Sequence, residues 1–243
     1  MPLIRQILND EYSCASYIVG CPTSGKSMVI DPKYDVDAYI KMTSSMALKI
    51  DGIIETHIHA DHISGAKKLQ SLTGAPIYMF EDSKIRFNFV PLKEGDSLKI
   101  GNARLEILHT PGHTPESMSL VYYDDKRNPK VPSTVFTGDT LFVGDVGRSD
   151  LSGMDTSLEL YESLTEKILR LPDFVELMPA HYSGSACGAG MSPKVSSTLG
   201  YERLSNPLLQ TESFSDFRRI IGNVQLPPLP EKEKIRQLNA GAD

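Results

Sequence analysis

Thr56-His57-Ile58-His59-Ala60-Asp61-His62 places three imidazoles and a carboxylate within six positions. Imidazole and carboxylate together suit divalent metals of intermediate softness. Three further segments carry side chains of the same kind: Thr110-Pro111-Gly112-His113, Phe136-Thr137-Gly138-Asp139 and Met178-Pro179-Ala180-His181. Five of the six histidines fall in these four places. The sixth, His109, reads as a structural residue at a strand end.

Each segment follows an apolar run with strand character. Gly52-Ile53-Ile54-Glu55 precedes the first, Arg104-Leu105-Glu106-Ile107-Leu108 the second, Ser133-Thr134-Val135 the third and Phe174-Val175-Glu176-Leu177 the fourth. A strand that ends in a turn residue and then a polar side chain delivers that side chain to one edge of a rigid scaffold. Gly65 and Ala66-Lys67-Lys68-Leu69-Gln70 open a helix, so the His-rich cluster lies on a strand-to-helix turn.

The remaining elements are simpler. Leu3 to Pro32 reads as hairpin strands, Asp35 to Lys49 has helical spacing, and Ser97 to Asp139 is mostly strand. Thr156-x-x-Glu159 has the form of a capping box, opening a helix with Leu158, Tyr161, Leu164 and Ile168 on its core face. Ser196 to Asn206 and Phe214 to Ile221 read as late helices. Pro227, Pro228 and Pro230, followed by Glu231-Lys232-Glu233-Lys234, read as a linker-type, partly mobile end. Gly20-Cys21-Pro22-Thr23-Ser24-Gly25-Lys26-Ser27 fits the phosphate-loop expression, but Met28-Val29-Ile30-Asp31-Pro32 follows. A phosphate loop needs a helix at that point; this run is a strand, so the segment reads as a hairpin loop.

Composition bounds the rest. A chain of 243 residues, 40% hydrophobic, is long enough for a full core. Its formal net charge of −6, with no Lys/Arg run longer than two, argues against a nucleic-acid partner. The three cysteines, Cys14, Cys21 and Cys187, have no paired spacing and suit a reducing compartment. With no signal-peptide pattern and no long apolar span, the expectation is a soluble, cytoplasmic protein with no membrane partner.

The pattern His-x-His-x-Asp-His, then His, Asp and His, resembles the metallo-β-lactamase superfamily, from about Tyr17 to Asn206. The resemblance implies an α+β fold, a four-layer αββα sandwich with the metal at one edge. With the proline-containing tail set apart by its composition, the chain is expected to divide into a catalytic domain at 1–225 and that tail at 226–243. Within the superfamily, Gly147-Arg148-Ser149-Asp150 resembles a run found in persulfide dioxygenases. The segment from His181 to Gly188, and Ser196 to Arg203 ending at Asn206-Pro207, resemble the branch often fused to a rhodanese domain. Here Tyr182-Ser183 stands where the human-type branch has an Asp-Tyr pair.

That resemblance implies a single Fe(II) per chain on His57, His113 and Asp139. His59, Asp61, His62 and His181 become supporting residues around it, or the ligands of a second metal. Arg148 and Asp150 are read as catalytic support or as an ion pair bracing the metal loop. Tyr201, Arg203 and Asn206 are expected to contact substrate at the mouth of the site. The implied reaction oxidises a low-molecular-weight persulfide, such as glutathione persulfide, with O2 to sulfite and free thiol, in a homo-oligomer of two or four copies. The alternative is a thioester hydrolase of glyoxalase II type with two zinc ions. A third reading is a non-catalytic thiol- or metal-binding relic of the fold.

Overall fold

The computed structural model of the chain describes residues 2–242. Strands β1 (Leu3–Asn9), β2 (Cys14–Cys21), β3 (Lys26–Ile30), β4 (Lys49–Ile54), β5 (Ile77–Phe80) and β6 (Val90–Leu92) form one sheet in that order. Strands β7 (Ser97–Ile100), β8 (Ala103–His109), β9 (Met118–Asp124), β10 (Thr134–Gly138), β11 (Glu176–Pro179) and β12 (Ser197–Thr198) form the second. Helices α1 (Asp37–Ser45) and α2 (Ala66–Thr73) belong to the first half. Helices α3 (Ser157–Glu162), α4 (Leu199–Ser205) and α5 (Phe214–Gly222) belong to the second, and α6 (Lys232–Asn239) returns to the first, with Asn239 hydrogen-bonded to Ser64 and Ala240 to Arg86.

The layering follows from the two-residue period of strands. Tyr17, Val19, Ile54, Leu105, Leu120 and Phe136 fill the space between the sheets. Their chain neighbours Ile18 and Ile53 point the other way, toward Tyr39 of α1 and Leu69 of α2. On the second sheet Val121 and Val135 likewise turn outward onto Leu160, Leu164 and Phe217. Both faces of the central strands are therefore dry, and the four layers are helix, sheet, sheet, helix. Truncating a side chain such as Ile53 to alanine costs roughly 2–5 kcal/mol in a core of this kind.

The phosphate-loop look-alike is a hairpin: β2 and β3 pair antiparallel from Tyr17↔Ile30 to Cys21↔Lys26. The helix expected over 35–49 stops at Ser45, because the chain turns at Ala47 (φ +53°) to enter β4. Thr156 precedes α3 but does not cap it. Its hydroxyl instead donates to Gly112 O at 2.5 Å and Ser149 O at 2.9 Å, tying α3 to the His113 turn. Asp155 Oδ1 accepts the Ser157 N–H in its place. The core stripe is also displaced: Leu158 is exposed, and Leu160, Leu164 and Ile168 are buried. The tail read as a linker-type end carries α6. No helix among the described residues is long and apolar enough to cross a membrane.

Candidate metal centre

Parallel β3 and β4 end side by side, and the first histidine segment leaves the end of β4. Asp31, just past β3, holds its turn: Oδ1 accepts the Thr56 N–H at 2.7 Å and Oδ2 the Thr56 hydroxyl at 2.8 Å. The Thr56 hydroxyl proton is thus spent on Asp31. Its oxygen, 3.0 Å from His57 Nδ1, can only accept. His57 therefore carries its proton on Nδ1 and presents a bare Nε2 lone pair. His113 is set in the same way, its Nδ1 donating to Arg148 O at 3.0 Å. Fixing one imidazole nitrogen to orient the other is the usual support of a ligating histidine.

Asp139 follows Gly138, whose φ is +52° and whose missing Cβ would lie 2.7 Å from Thr56 Oγ1. Only glycine leaves room for the strand end to approach the first segment so closely. Asp139 Oδ1 accepts from His181 Nδ1 at 2.7 Å. Asp139 Oδ2 stands 3.2 Å from His113 Nε2 and 3.8 Å from His57 Nε2. These three atoms are buried and have no hydrogen-bond partner. Orphaned buried acceptors of this kind are costly. Three of them converging on one point fit a divalent cation that would satisfy all at once.

Electrostatics agrees with that fit. Burial holds His57 and His113 below the usual histidine range, so both are neutral, as metal-ligating imidazoles must be. Burial alone would push the Asp139 carboxyl up. The combined pull of His181, His57 and His113 outweighs it and keeps Asp139 ionised.

Asp61, His62 and His181 behave differently. Asp61 Oδ1 lies 3.0 Å from His62 Nδ1, and Asp61 Oδ2 lies 2.8 Å from His181 Nε2. His181 thus bridges Asp61 and Asp139. Burial opposes its charge, but the two carboxylates hold its pKa well above the usual range. His59 is likewise buried with neither ring nitrogen hydrogen-bonded, but its Nε2 faces an acidic pair, 3.1 Å from Glu55 Oε2 and 3.4 Å from Asp31 Oδ1. These carboxylates also overcome burial and keep it protonated.

Arg148 makes a two-pronged pair with Asp150, at 2.6 and 2.8 Å, and donates Nη1 to Ala186 O and Pro227 O, both at 3.0 Å. Its guanidinium is committed to the protein, so the pair braces the loop whose carbonyl orients His113. His109 stacks on Phe80 with ring centroids 3.9 Å apart, away from the triad.

A cavity of about 870 Å³ opens on His57, His59 and His62. Lys33, Tyr34, Lys67, Lys68, Phe87 and Leu238 are among its walls. Tyr201, Arg203 and Asn206 are not. Tyr201 is exposed beneath Lys194, and Asn206 is buried with its amide on Asp145 O at 3.1 Å. Arg203 holds Asp173 Oδ1 at 2.7 Å and the carbonyls of Leu169 and Leu171. Arg203 and Asn206 therefore brace α4, Tyr201 is exposed on it, and none of the three lines this cavity. The sequence reading also missed Asp31, Glu55, Thr56 and Asn239. Only the position of Asp31 at a strand end just before proline offered any signal.

Comparison with known proteins places this geometry. Residues 9–84 and 80–181 match the Metallo-beta-lactamase superfamily. Mitochondrial persulfide dioxygenase ETHE1 of Homo sapiens is 33% identical over 230 residues, spanning 93% of this chain and 82% of the relative. A metallo-beta-lactamase from Staphylococcus aureus superposes with a TM-score of 0.90 at 33% identity, over 98% of this chain and 72% of that one. ETHE1 from Myxococcus xanthus superposes with a TM-score of 0.84 at 28% identity, over 99% of this chain and 100% of that one.

Proposed function

The chain belongs to the metallo-β-lactamase superfamily, and within it we propose an iron(II)-dependent persulfide dioxygenase. The reaction is RSSH + O2 + H2O → RSH + SO3²⁻ + 2 H⁺, with RSSH a low-molecular-weight persulfide such as glutathione persulfide. One observation carries the reading. His57 Nε2, His113 Nε2 and Asp139 Oδ2 are bare, buried and mutually close, whereas Asp61, His62 and His181 are hydrogen-bonded to one another. Two histidines and one carboxylate form the ligand face of non-haem iron(II) oxygenases. Iron(II) there would supply a redox couple and open coordination positions, the first of which zinc lacks. The name of the human relative, persulfide dioxygenase, supports the same reading.

The chain's own residues orient and hold protons. Thr56 and the Arg148 carbonyl fix the two imidazoles, and His181 holds a proton between Asp139 and Asp61. The carrier thiol occupies the cavity beside His57. Lys33, Lys67 and Lys68 line that cavity without an ion-pair partner among the described residues. Lys67 and Lys68 lie in the first turn of α2, where no acidic residue offsets them and the helix dipole disfavours cations. An anionic carrier relieves both.

Metal analysis of protein purified without added metal, paired with an oxygen-electrode trace on glutathione persulfide, tests this. One iron per chain and persulfide-dependent O2 uptake are expected. Two zinc ions per chain, thioester hydrolysis and no O2 uptake would overturn it in favour of a glyoxalase II-type hydrolase.

A further inference from the structure

We propose that Asn239, the last residue of α6, is a positioning residue for the metal site. It reaches the histidine segment from the far end of the chain. Its Nδ2 donates to His59 O at 2.9 Å and to His62 O at 2.8 Å, and its Oδ1 accepts the Ser64 N–H at 3.0 Å. A primary amide has two donors and one acceptor oxygen, and here all three functions go to one irregular segment. That segment joins β4 to α2 with no ladder or helix of its own along most of its length, so its backbone groups need outside partners.

The amide is itself held in place. Gly241 lies at φ +86°. Ala242 N–H donates to Gln237 O at 2.8 Å and Gly241 N–H to Leu238 O at 3.0 Å. Those two bonds and the left-handed glycine make a Schellman stop, which fixes the final turn carrying Asn239. Just beyond, Ala240 O accepts the Arg86 N–H at 2.7 Å. Upstream, Pro227 O accepts from Arg148, whose own carbonyl orients His113. The tail thus reaches the first histidine segment directly and the His113 turn only through Arg148. Asn239 sets where the first stands, and Pro227 touches the brace of the second.

This inference rests on the metal triad of the proposed function but not on the identity of the metal or on catalysis. Cobalt(II) serves as the probe, through its visible absorption and its rate of loss to a chelator. Asn239→Asp keeps the shape and the acceptor but removes both donors and sets a carboxylate against two carbonyl oxygens. In this variant, cobalt(II) loss is expected to speed up by about 10-fold, the low end for partners of ligating residues, because the amide acts on His57 only through the backbone two residues away. The cobalt(II) spectrum shifts, and in the iron form kcat falls more than KM rises. Asn239→Ala gives the same direction and serves if the aspartate variant does not fold. Lys234→Ala, on the exposed side of α6, leaves all readouts unchanged. Wild-type cobalt(II) retention and spectrum in folded Asn239→Asp, or in Asn239→Ala if only that variant folds, would overturn the assignment. If instead both variants lose cobalt(II) and the wild type shows no O2 uptake, the positioning role stands and the dioxygenase reading fails.

Discussion

His181 Nδ1 lies 2.7 Å from Oδ1 of Asp139, and this contact leaves Oδ2 of the same carboxylate bare toward His57 and His113. One carboxylate is thereby divided between a proton-bearing neighbour and the point where the two bare imidazole nitrogens converge.

Ligand substitution should therefore be asymmetric. Asp139→Ala removes a bare ligand atom and is expected to abolish iron binding, measured as metal content per chain. His62→Ala removes a residue paired with Asp61 and is expected to keep most of the iron while slowing turnover. Equal metal loss in the two variants would indicate a dinuclear site.

Arg203 lies outside the cavity and holds Asp173 and two carbonyls. Arg203→Ala should lower stability by about 1 kcal/mol, a figure discounted for its partial exposure. KM for persulfides should stay at the wild-type value, since no shared binding is removed. A raised KM with unchanged melting temperature would return Arg203 to the substrate.

The contrast between Arg203 and Asp139 shows what sequence can carry. Asp139 was legible because a strand, a small or turn residue and a metal-type side chain stand in consecutive positions, and the same grammar recurs at His113 and His181. The two sheets were legible for a related reason, since buried strands announce themselves by continuous apolar runs. Arg203 was not, because a guanidinium suited to an anion is equally suited to carbonyls. Only the fold, which brings Leu169 and Asp173 alongside, decides between them. Asn239 was hidden more deeply: its partners are main-chain carbonyls of His59 and His62, which have no side-chain signature. The helix that carries it did leave a trace. The run from Glu231 to Ala240 has neither proline nor glycine and stops at Gly241, but the prolines before it suggested a linker.

Burial holds the pKa values of His57 and His113 below 6.5, the ordinary histidine value. The folded chain then binds fewer protons at these sites than the unfolded chain does. Their neutral state carries no penalty above pH 6.5, and their contribution turns destabilising as the pH falls below it. His59 and His181 are raised and act in the opposite sense, stabilising at low pH and losing that contribution as pH rises through their folded values. In the metal-free protein, imidazole NMR titration should show His57 and His113 still neutral somewhat below pH 6.5, with His59 and His181 still protonated above it. All four titrating together near the ordinary value would contradict the buried network.

The lysines of the cavity should set substrate preference. Lys67 Nζ lies 5.7 Å from the Phe87 ring centroid and Lys68 Nζ 5.0 Å from that of Tyr34, so each ammonium stands beside a flat apolar wall. A carrier with carboxylates or phosphates can meet the charges there, while its apolar parts lie on the rings. The paired substitution Lys67→Ala with Lys68→Ala is expected to raise KM for glutathione persulfide several-fold and leave kcat nearly unchanged, because binding shared by ground and transition states is removed. Rising ionic strength should raise the wild-type KM in the same direction, and more weakly in the double variant, since both lysines are exposed and screened by salt. A neutral alkyl persulfide should be indifferent to either change. Unchanged KM for every anionic persulfide in the folded, iron-loaded double variant would exclude these lysines from carrier recognition.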